Sequence, residues 1–285
     1  MSIVTNPDPI IARISAALRA LDGTKPVIGL GGAHAKGQAD EHSDIDFYVF
    51  ASGLPAAQRL SEDLASRLPQ ATAFKIWSGT FEAGVDFDFA GQVVEVWFRD
   101  TGQVRAAVDR ALSGSIERED RVWTPNGFYS STVLSDLRSM RVLYCEDSAF
   151  AALLETIRHY PEAMRRTAFD AGLAPLRFWR GNMHLATAIA RVDSYYLESI
   201  CHQVRNGLIQ SAFAVNRTYF GGDKKMRLSL QKLAALPERF TETVLDAEEP
   251  TTSAQWHDRF EGLFAAGDRL AALMADGSQN ARAAE

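Results

Sequence analysis

The sequence predicts an α+β (α/β) protein: a small mixed β-sheet with flanking helices over residues 1–115, then a mainly α-helical region over 116–285. Three observations predict it. Through roughly the first 100 residues, apolar periodicity switches between the helical and the alternating kind, the mark of helices and strands folded around one sheet. After Thr101 nearly all the periodicity is helical. And 285 residues, 46% of them hydrophobic and 23% charged, suffice for two cores, at roughly 100–200 residues per domain.

The first helix covers 9–21, where Ile10, Ile11, Ile14, Leu18 and Leu21 share one face and Asp22-Gly23 stops the run. Residues 26–30 (PVIGL) form a short buried strand that runs into Gly31-Gly32. Residues 43–50 (SDIDFYVF) alternate acidic and apolar side chains and then turn wholly apolar, as in a strand whose first half has one polar face. A helix follows over 55–68, then strands over 71–77, 85–89 and 93–99, separated by Gly-containing turns. Residues 117–127 are expected to join the two halves. The strongest helical segments beyond them are 150–159, 183–204, 225–236 and 255–274. On the last, Trp256, Phe260, Leu263, Phe264, Leu270 and Met274 form an apolar stripe, the pattern of a helix packed on a core. The small, polar tail over 276–285 is expected to fray.

Composition narrows the function. The net charge is −6 and the pI near 5.6, without the basic excess of a general nucleic-acid binder. Only six of the 30 basic residues are lysines, so Lys36 in a Gly-rich loop stands out. Two cysteines, Cys145 and Cys201, make neither a disulfide framework nor a zinc spacing, as expected in a reducing cytoplasm. The N-terminus has no secretory pattern and no apolar run approaches about 18 residues, so a soluble cytoplasmic protein without a membrane span is expected.

The informative segment is GLGGAHAKGQADEHSDIDFYVF, residues 29–50. It is not a Walker A loop, because Gln38-Ala39 follows Gly37 where Lys-Ser/Thr is needed. It is not a dinucleotide fingerprint, because His34 stands at the third glycine position. What remains is a strand, a Gly-Gly turn, a short helix and a strand that opens Asp-x-Asp. Asp44 and Asp46 point to one face and Ile45 and Phe47 to the other. Two carboxylates that close repel unless a cation sits between them, and Mg²⁺ takes oxygen ligands while keeping sites for substrate phosphates. The glycines let backbone amides approach a phosphate chain, amides at the start of the short helix add positive potential, and Lys36 offers a further charge.

This arrangement resembles the DNA polymerase β-like nucleotidyltransferase superfamily, whose signature is Gly-Gly or Gly-Ser, a short helical stretch, a Gly, then Ser-Asp-x-Asp. Here it reads Gly31-Gly32, residues 33–36, Gly37, and Ser43-Asp44-Ile45-Asp46. The resemblance covers about the first 100 residues. The helical remainder is similar, more loosely, to the small-molecule members such as aminoglycoside and lincosamide nucleotidyltransferases, and to their relatives with a segment like FAVNRTYFGGDKK (213–225).

The resemblance implies a nucleotidyltransferase that moves an NMP, with ATP as the expected donor, to a hydroxyl of a small-molecule acceptor and releases pyrophosphate. It implies one or two Mg²⁺ ions on Asp44, Asp46 and a third carboxylate from a later strand. Glu95 in VVEVWF is the best match, with Asp86 and Asp88 competing and Arg99 as an alternative partner for Glu95. Gly31, Gly32, Ala33, Lys36, Ser43 and Lys224 would contact the nucleotide. Ser43 has an equally good role as a turn residue. Asp193, or else Glu198, would serve as general base, against the plainer reading of a solvated helix face or a pair with Arg191. Asn216, Tyr219 and Lys225 belong to the same loop region as Lys224.

Two departures stand out. Ala33 replaces the family's usual Ser, a loss of about 0.5–1.5 kcal/mol for one hydrogen bond. The third acid is Glu rather than Asp. Ala33 sustains a rival reading, a nucleotide-binding regulatory or antitoxin-like protein with weak or no catalysis. A polynucleotide polymerase is a third, but it needs a basic groove, and long nucleic acid is not the expected partner. His34 and His42 lack a zinc spacing, and Trp77, Trp97, Trp123 and Trp179 read first as core residues, though one near the sheet would suit base stacking. The sequence does not indicate an oligomeric state.

Overall fold

The computed structural model describes residues 8–21, 25–37, 39–79, 82–122, 124–246 and 250–282. The stop at Asp22-Gly23 and Trp123 lie outside the described residues. The chain forms two compact units. The first holds the described residues up to Asp109 together with Val133–His159, and the second holds Arg110–Thr132 with those from Tyr160 onward.

In chain order the elements begin with α1 (Asp8–Arg19), β1 (Val27–Leu30), the single turn α2 (Gly32–Ala35), β2 (Ile45–Ala51), α3 (Ala57–Arg67), β3 (Thr72–Ser78), β4 (Ala83–Phe89), β5 (Gln92–Asp100) and α4 (Thr101–Leu112). A hairpin of β6 (Arg118–Arg121) and β7 (Thr124–Tyr129) precedes α5 (Thr132–Ser139), β8 (Arg141–Tyr144) and α6 (Ser148–Thr156). Helices complete the chain: α7 (Glu162–Trp179), α8 (Met183–Arg191), α9 (Ser194–Val215), α10 (Met226–Leu230), α11 (Phe240–Leu245) and α12 (Ser253–Arg282).

The first unit is built on a six-stranded mixed sheet of order β3-β4-β5-β2-β1-β8. Strands β3, β4 and β5 are antiparallel neighbours. The tight β4–β5 turn suits this, since Ala90 and Gly91 both have positive φ, 51° and 81°, as the twist of a two-residue hairpin demands. The pairing of β2 with β5 is parallel, and that needs a crossover, here made by α3 and the β3–β4 hairpin. Period-two alternation sorts the two faces. Ile45, Phe47 and Val49 of β2 and Val94, Val96 and Phe98 of β5 join Ile14, Leu18, Leu60 and Leu64 of α1 and α3 in one core. The opposite face carries Asp46 beside Glu95, Tyr48 beside Trp97, and Phe50 beside Arg99. Strand β8 pairs with β1 at the sheet edge, so 133–159 lie in the first unit, past the expected boundary near 115.

The second unit is helical apart from the β6–β7 hairpin. The stripe expected on the last helix is buried: Trp256, Phe260, Leu263, Phe264 and Leu270 are core residues, with Met274 partly buried against them. Helices α7 and α9 approach closely because Gly172 faces Gly207, where a Cβ on either would overlap the other's carbonyl oxygen.

Four sequence expectations need correction. The helix over 183–204 is two helices, broken where Val192 adopts a left-handed φ of 52° and Asp193 starts α9. The Asp193 side chain makes no capping bond; the backbone sets the break, with the left-handed Val192 returning its N–H to the Ala188 and Ile189 carbonyls. The helix over 225–236 stops after Leu230, because the Asn216 side chain bonds the Ala235 backbone both ways, at 2.7 and 2.8 Å, and holds it out of helical geometry. The joining segment 117–127 is mostly the β6–β7 hairpin of the second unit. The tail expected to fray from 276 is helical to Arg282. Among the described residues, no helix is long and apolar enough to cross a membrane.

Candidate functional site

Strand β2 begins at Ile45, so Asp44 sits at its mouth and Asp46 on its first polar-facing position. The parallel register places Glu95 directly beside Asp46. One carboxylate oxygen from each of Asp44, Asp46 and Glu95 lies within 4.8 Å of the other two, and all three residues are half-buried. Around an octahedral Mg²⁺ with ligands at about 2.1 Å, neighbouring oxygens are about 3–4 Å apart. Small side-chain rotations close that gap, and an all-oxygen donor set is the kind a hard divalent cation takes, so the residues fit such an ion.

The competing acids are placed differently. Asp86 is paired with Glu95 one strand further out, and its Oδ1 accepts from Trp77 Nε1 at 2.8 Å. Asp88 is exposed. Arg99 commits Nε to Glu82 and Nη2 to Asp136, both at 2.8 Å, and so does not take up the alternative pairing with Glu95.

The Gly-rich loop is shaped around these acids. The Gly31 N–H donates to the Asp46 carbonyl at 2.8 Å, which ties the loop to β2. A Cβ on Gly31 would overlap the Tyr48 ring, and one on Gly32 would overlap the Asp46 carboxylate. Ala33 is half-buried in α2 and Lys36 is exposed at its end. Ser43 Oγ donates to Asp40 Oδ1 at 2.8 Å and accepts from the Asp40 N–H at 2.9 Å, so its hydroxyl serves the turn that precedes β2. His34 is partly buried, with Nε2 lacking a partner; burial lowers its pKa, Asp44 opposes this and Arg141 adds to it. His42 is exposed.

Behind the acids lies a buried polar group that periodicity does not reveal. Tyr48 is hydrogen-bonded to Asp136, and burial holds its phenol well above the ordinary range, so it remains a neutral donor. Burial opposes the Arg99 charge, but Asp136 and Glu82 outweigh it and the pKa is raised. Burial also raises the Asp136 carboxyl, partly offset by Arg99. The Arg99 guanidinium lies 5.0 Å from the Tyr48 ring centre. Removing one partner of a buried ion pair costs about 3–5 kcal/mol, because the other charge is left uncompensated. Arg99→Met is therefore expected to lower unfolding free energy by about that much, read from urea melts. A loss under about 1 kcal/mol would show that the group does not hold the face together.

The tryptophans divide. Trp77 and Trp97 meet edge-to-face at 4.4 Å on the polar face of the sheet beside Asp86 and Glu95, and Trp97 Nε1 is buried without a partner. Trp179 packs against the second core.

The sites expected in the helical half are not brought together. Asp193 is exposed at the start of α9 and Glu198 is half-buried one turn on. Lys224 is exposed and Lys225 precedes α10 with a left-handed φ of 55°. Asn216 clamps Ala235, while Tyr219 is buried against Tyr160 at 4.8 Å. A cavity of about 430 Å³ lies within the second unit, lined by neither Asp193 nor Glu198. His202, Asn206 and Gln210 of α9, and Asn126 of β7, line it instead. Their four- or eight-residue spacing on α9 marks a polar stripe that the sequence reading passed over.

No protein-family model matches the chain, and no curated protein matches it. Among solved structures it is similar to a nucleotidyltransferase-like protein from Exiguobacterium sibiricum 255-15, at 9% identity over 95% of this chain and 76% of that one, with a TM-score of 0.46. It is also similar to terminal uridylyl transferase 4 from Trypanosoma brucei with bound UTP and UMP, at 14% identity over 90% of this chain and 66% of that one, with a TM-score of 0.29. Likenesses this distant carry no weight for function; the side chains of this chain do.

Proposed function

We propose that this chain is a nucleotidyltransferase that takes a nucleoside triphosphate, ATP in the first instance, and moves its nucleotidyl group to a hydroxyl of a small-molecule acceptor with release of pyrophosphate. The observation that carries the reading is the cluster of Asp44, Asp46 and Glu95 beside Gly31-Gly32. Asp44, Asp46 and Glu95 would hold Mg²⁺, which would supply neutralisation of the triphosphate and of the charge that builds on its leaving group. The chain does the positioning. The β2–β5 register fixes Asp46 against Glu95 before substrate arrives, so little reorganisation is left for the reaction. Gly31 and Gly32 keep side chains out of the space beside the acids, and Lys36 offers a point charge to a phosphate. The acceptor oxygen forms its bond to the α-phosphorus as the bond to pyrophosphate breaks, and holding the two in line is the larger part of the catalysis.

The rival reading, a nucleotide-binding regulatory or antitoxin-like protein with weak or no catalysis, draws on two particulars. Ala33 has no hydroxyl, and the Ser43 hydroxyl is tied to Asp40. Pyrophosphate release from each of the four NTPs with Mg²⁺, across acceptor panels and cell extract, separates the two. Release that needs an acceptor supports the transferase; calorimetric NTP binding without release supports the regulatory protein. Glu95→Gln is expected to lower turnover by about two orders of magnitude while NTP affinity changes only a few-fold. Full turnover in Glu95→Gln together with its loss in Asp86→Asn would assign the third carboxylate to Asp86.

A further inference from the structure

The cavity of the second unit has a definite chemistry. Among the described residues, no carboxylate lines it. Its walls include the aromatic rings of Tyr129, Tyr160, Phe213 and Phe220, and its volume falls in the range of about 300–1,000 Å³ usual for small-molecule sites. Burial, with Tyr219 close by, raises the Tyr160 phenol, so it adds no negative charge. Arg118, the one arginine among the described lining residues, pairs with Asp120 and donates from Nε to the Asn126 carbonyl, so its charge is already matched. Two polar atoms of lining residues are buried without a partner: Asn126 Oδ1, an acceptor, and Gln210 Nε2, a donor. Leaving such groups unmade costs about 1–3 kcal/mol each, and orphaned groups call for an explanation. A third acceptor lies in the wall. Pro175 has no N–H, so the carbonyl of Ala171, four residues back in α7, lacks its helical donor.

We infer that this cavity is a binding site for an uncharged, ring-bearing small molecule that offers a hydrogen-bond donor to Asn126 Oδ1 and an acceptor to Gln210 Nε2. Aromatic walls suit a ring, and the two amides read one polar edge of it. A polycation of the aminoglycoside kind is the wrong guest, because the described lining residues include no carboxylate and Asp223, which accepts from the Asn126 N–H at 3.1 Å, would match only one of its charges. Only the further step, that the acceptor of the proposed transfer belongs to this class, rests on the transferase reading.

Benzamide and benzamidine test it. They share a shape, but the first is neutral and carries both donor and acceptor, while the second is cationic and only donates. Binding to the full chain is followed by ligand-observed NMR titration without nucleotide or metal. Benzamide is expected to bind at least about tenfold more tightly than benzamidine. Gln210→Leu, which removes the donor, is expected to weaken it about fivefold or more. Ala171→Leu, which fills the space, is expected to abolish binding, and either variant suffices if the other fails to fold. Equal or tighter binding of benzamidine, no binding of benzamide, or benzamide binding indifferent to the folded variants overturns the proposal. Asp44→Asn/Asp46→Asn is expected to bind benzamide as the wild type does, so failure of the transferase reading and failure of this one are told apart.

Discussion

Replacing Asp44 and Asp46 together by Asn is expected to remove Mg²⁺-dependent pyrophosphate release, by at least about a thousandfold, while the fold is kept. The loss follows from charge. Each carboxylate contributes one negative charge to a cluster in which one oxygen per residue lies within 4.8 Å of the others, and amides neither neutralise a divalent ion nor bind it with comparable strength. Removing one donor of an electrostatic site alone costs about 10²–10³ in rate, so two ligands removed at once set a floor near the top of that range. The fold should survive for the same reason. The two acids are half-buried like charges at one end of β2, and their mutual repulsion opposes folding when no cation is bound. The double variant is therefore expected to melt at the wild-type temperature or slightly above it without metal, and to lose the upward shift that Mg²⁺ gives the wild type. Thermal melts with and without Mg²⁺, beside pyrophosphate release, measure both. Undiminished release from a natively folded double variant would remove the cluster from the chemistry and with it the proposed function.

Much of this site is legible in the residues, and it is clear which part is not. Asp44 and Asp46 declare themselves because a strand alternates with period two, a local rule that needs no knowledge of neighbours. Glu95 is legible as an acid inside an apolar strand, but its place beside Asp46 depends on a parallel register across 49 positions of chain, which no local pattern encodes. Asp86 satisfies the same local criteria. Only the strand order, which puts β5 between β4 and β2, sets Glu95 nearer the pair. Asp136 is the extreme case. It comes from a short helix not foreseen at all, yet it meets Arg99 and Tyr48 in the polar layer behind the acids. In the helical half, the apolar stripe over 255–274 is read correctly because packing follows periodicity. The break at Val192 is missed because it is a left-handed turn at a β-branched residue, a conformation that residue type disfavours, and α7 is obscured by Pro175 in its interior. The polar stripe of His202, Asn206 and Gln210 is interrupted by buried apolar neighbours on α9, so it looks like ordinary amphipathicity until β7 closes over it.

The second large effect is expected from a single methyl group at Gly32. Its φ is 55°, in the left-handed region, where an alanine costs about 1–2 kcal/mol of backbone strain. The added Cβ would also stand 2.7 Å from Asp46 Cγ and overlap Oδ2, so the carboxylate must leave its position or the loop must lift. Either response pulls Asp46 away from Asp44 and Glu95. Gly32→Ala is therefore expected to weaken Mn²⁺ binding by more than about tenfold and to cut turnover by about 10²–10³, with a modest fall in melting temperature. Strain and overlap can be separated within the same loop. Gly37 has nearly the same φ, 62°, but a Cβ there meets nothing within 4 Å. Gly37→Ala should carry a similar stability cost and leave metal binding and turnover close to wild type. Equal losses of turnover in the two variants would mean that the loop's backbone conformation, and not the room it leaves for Asp46, is what the reaction needs. Loss in Gly32→Ala alone would tie the glycine pair and the acid pair into one device: the turn is bare at Gly32 because the carboxylate occupies the space where a side chain would be.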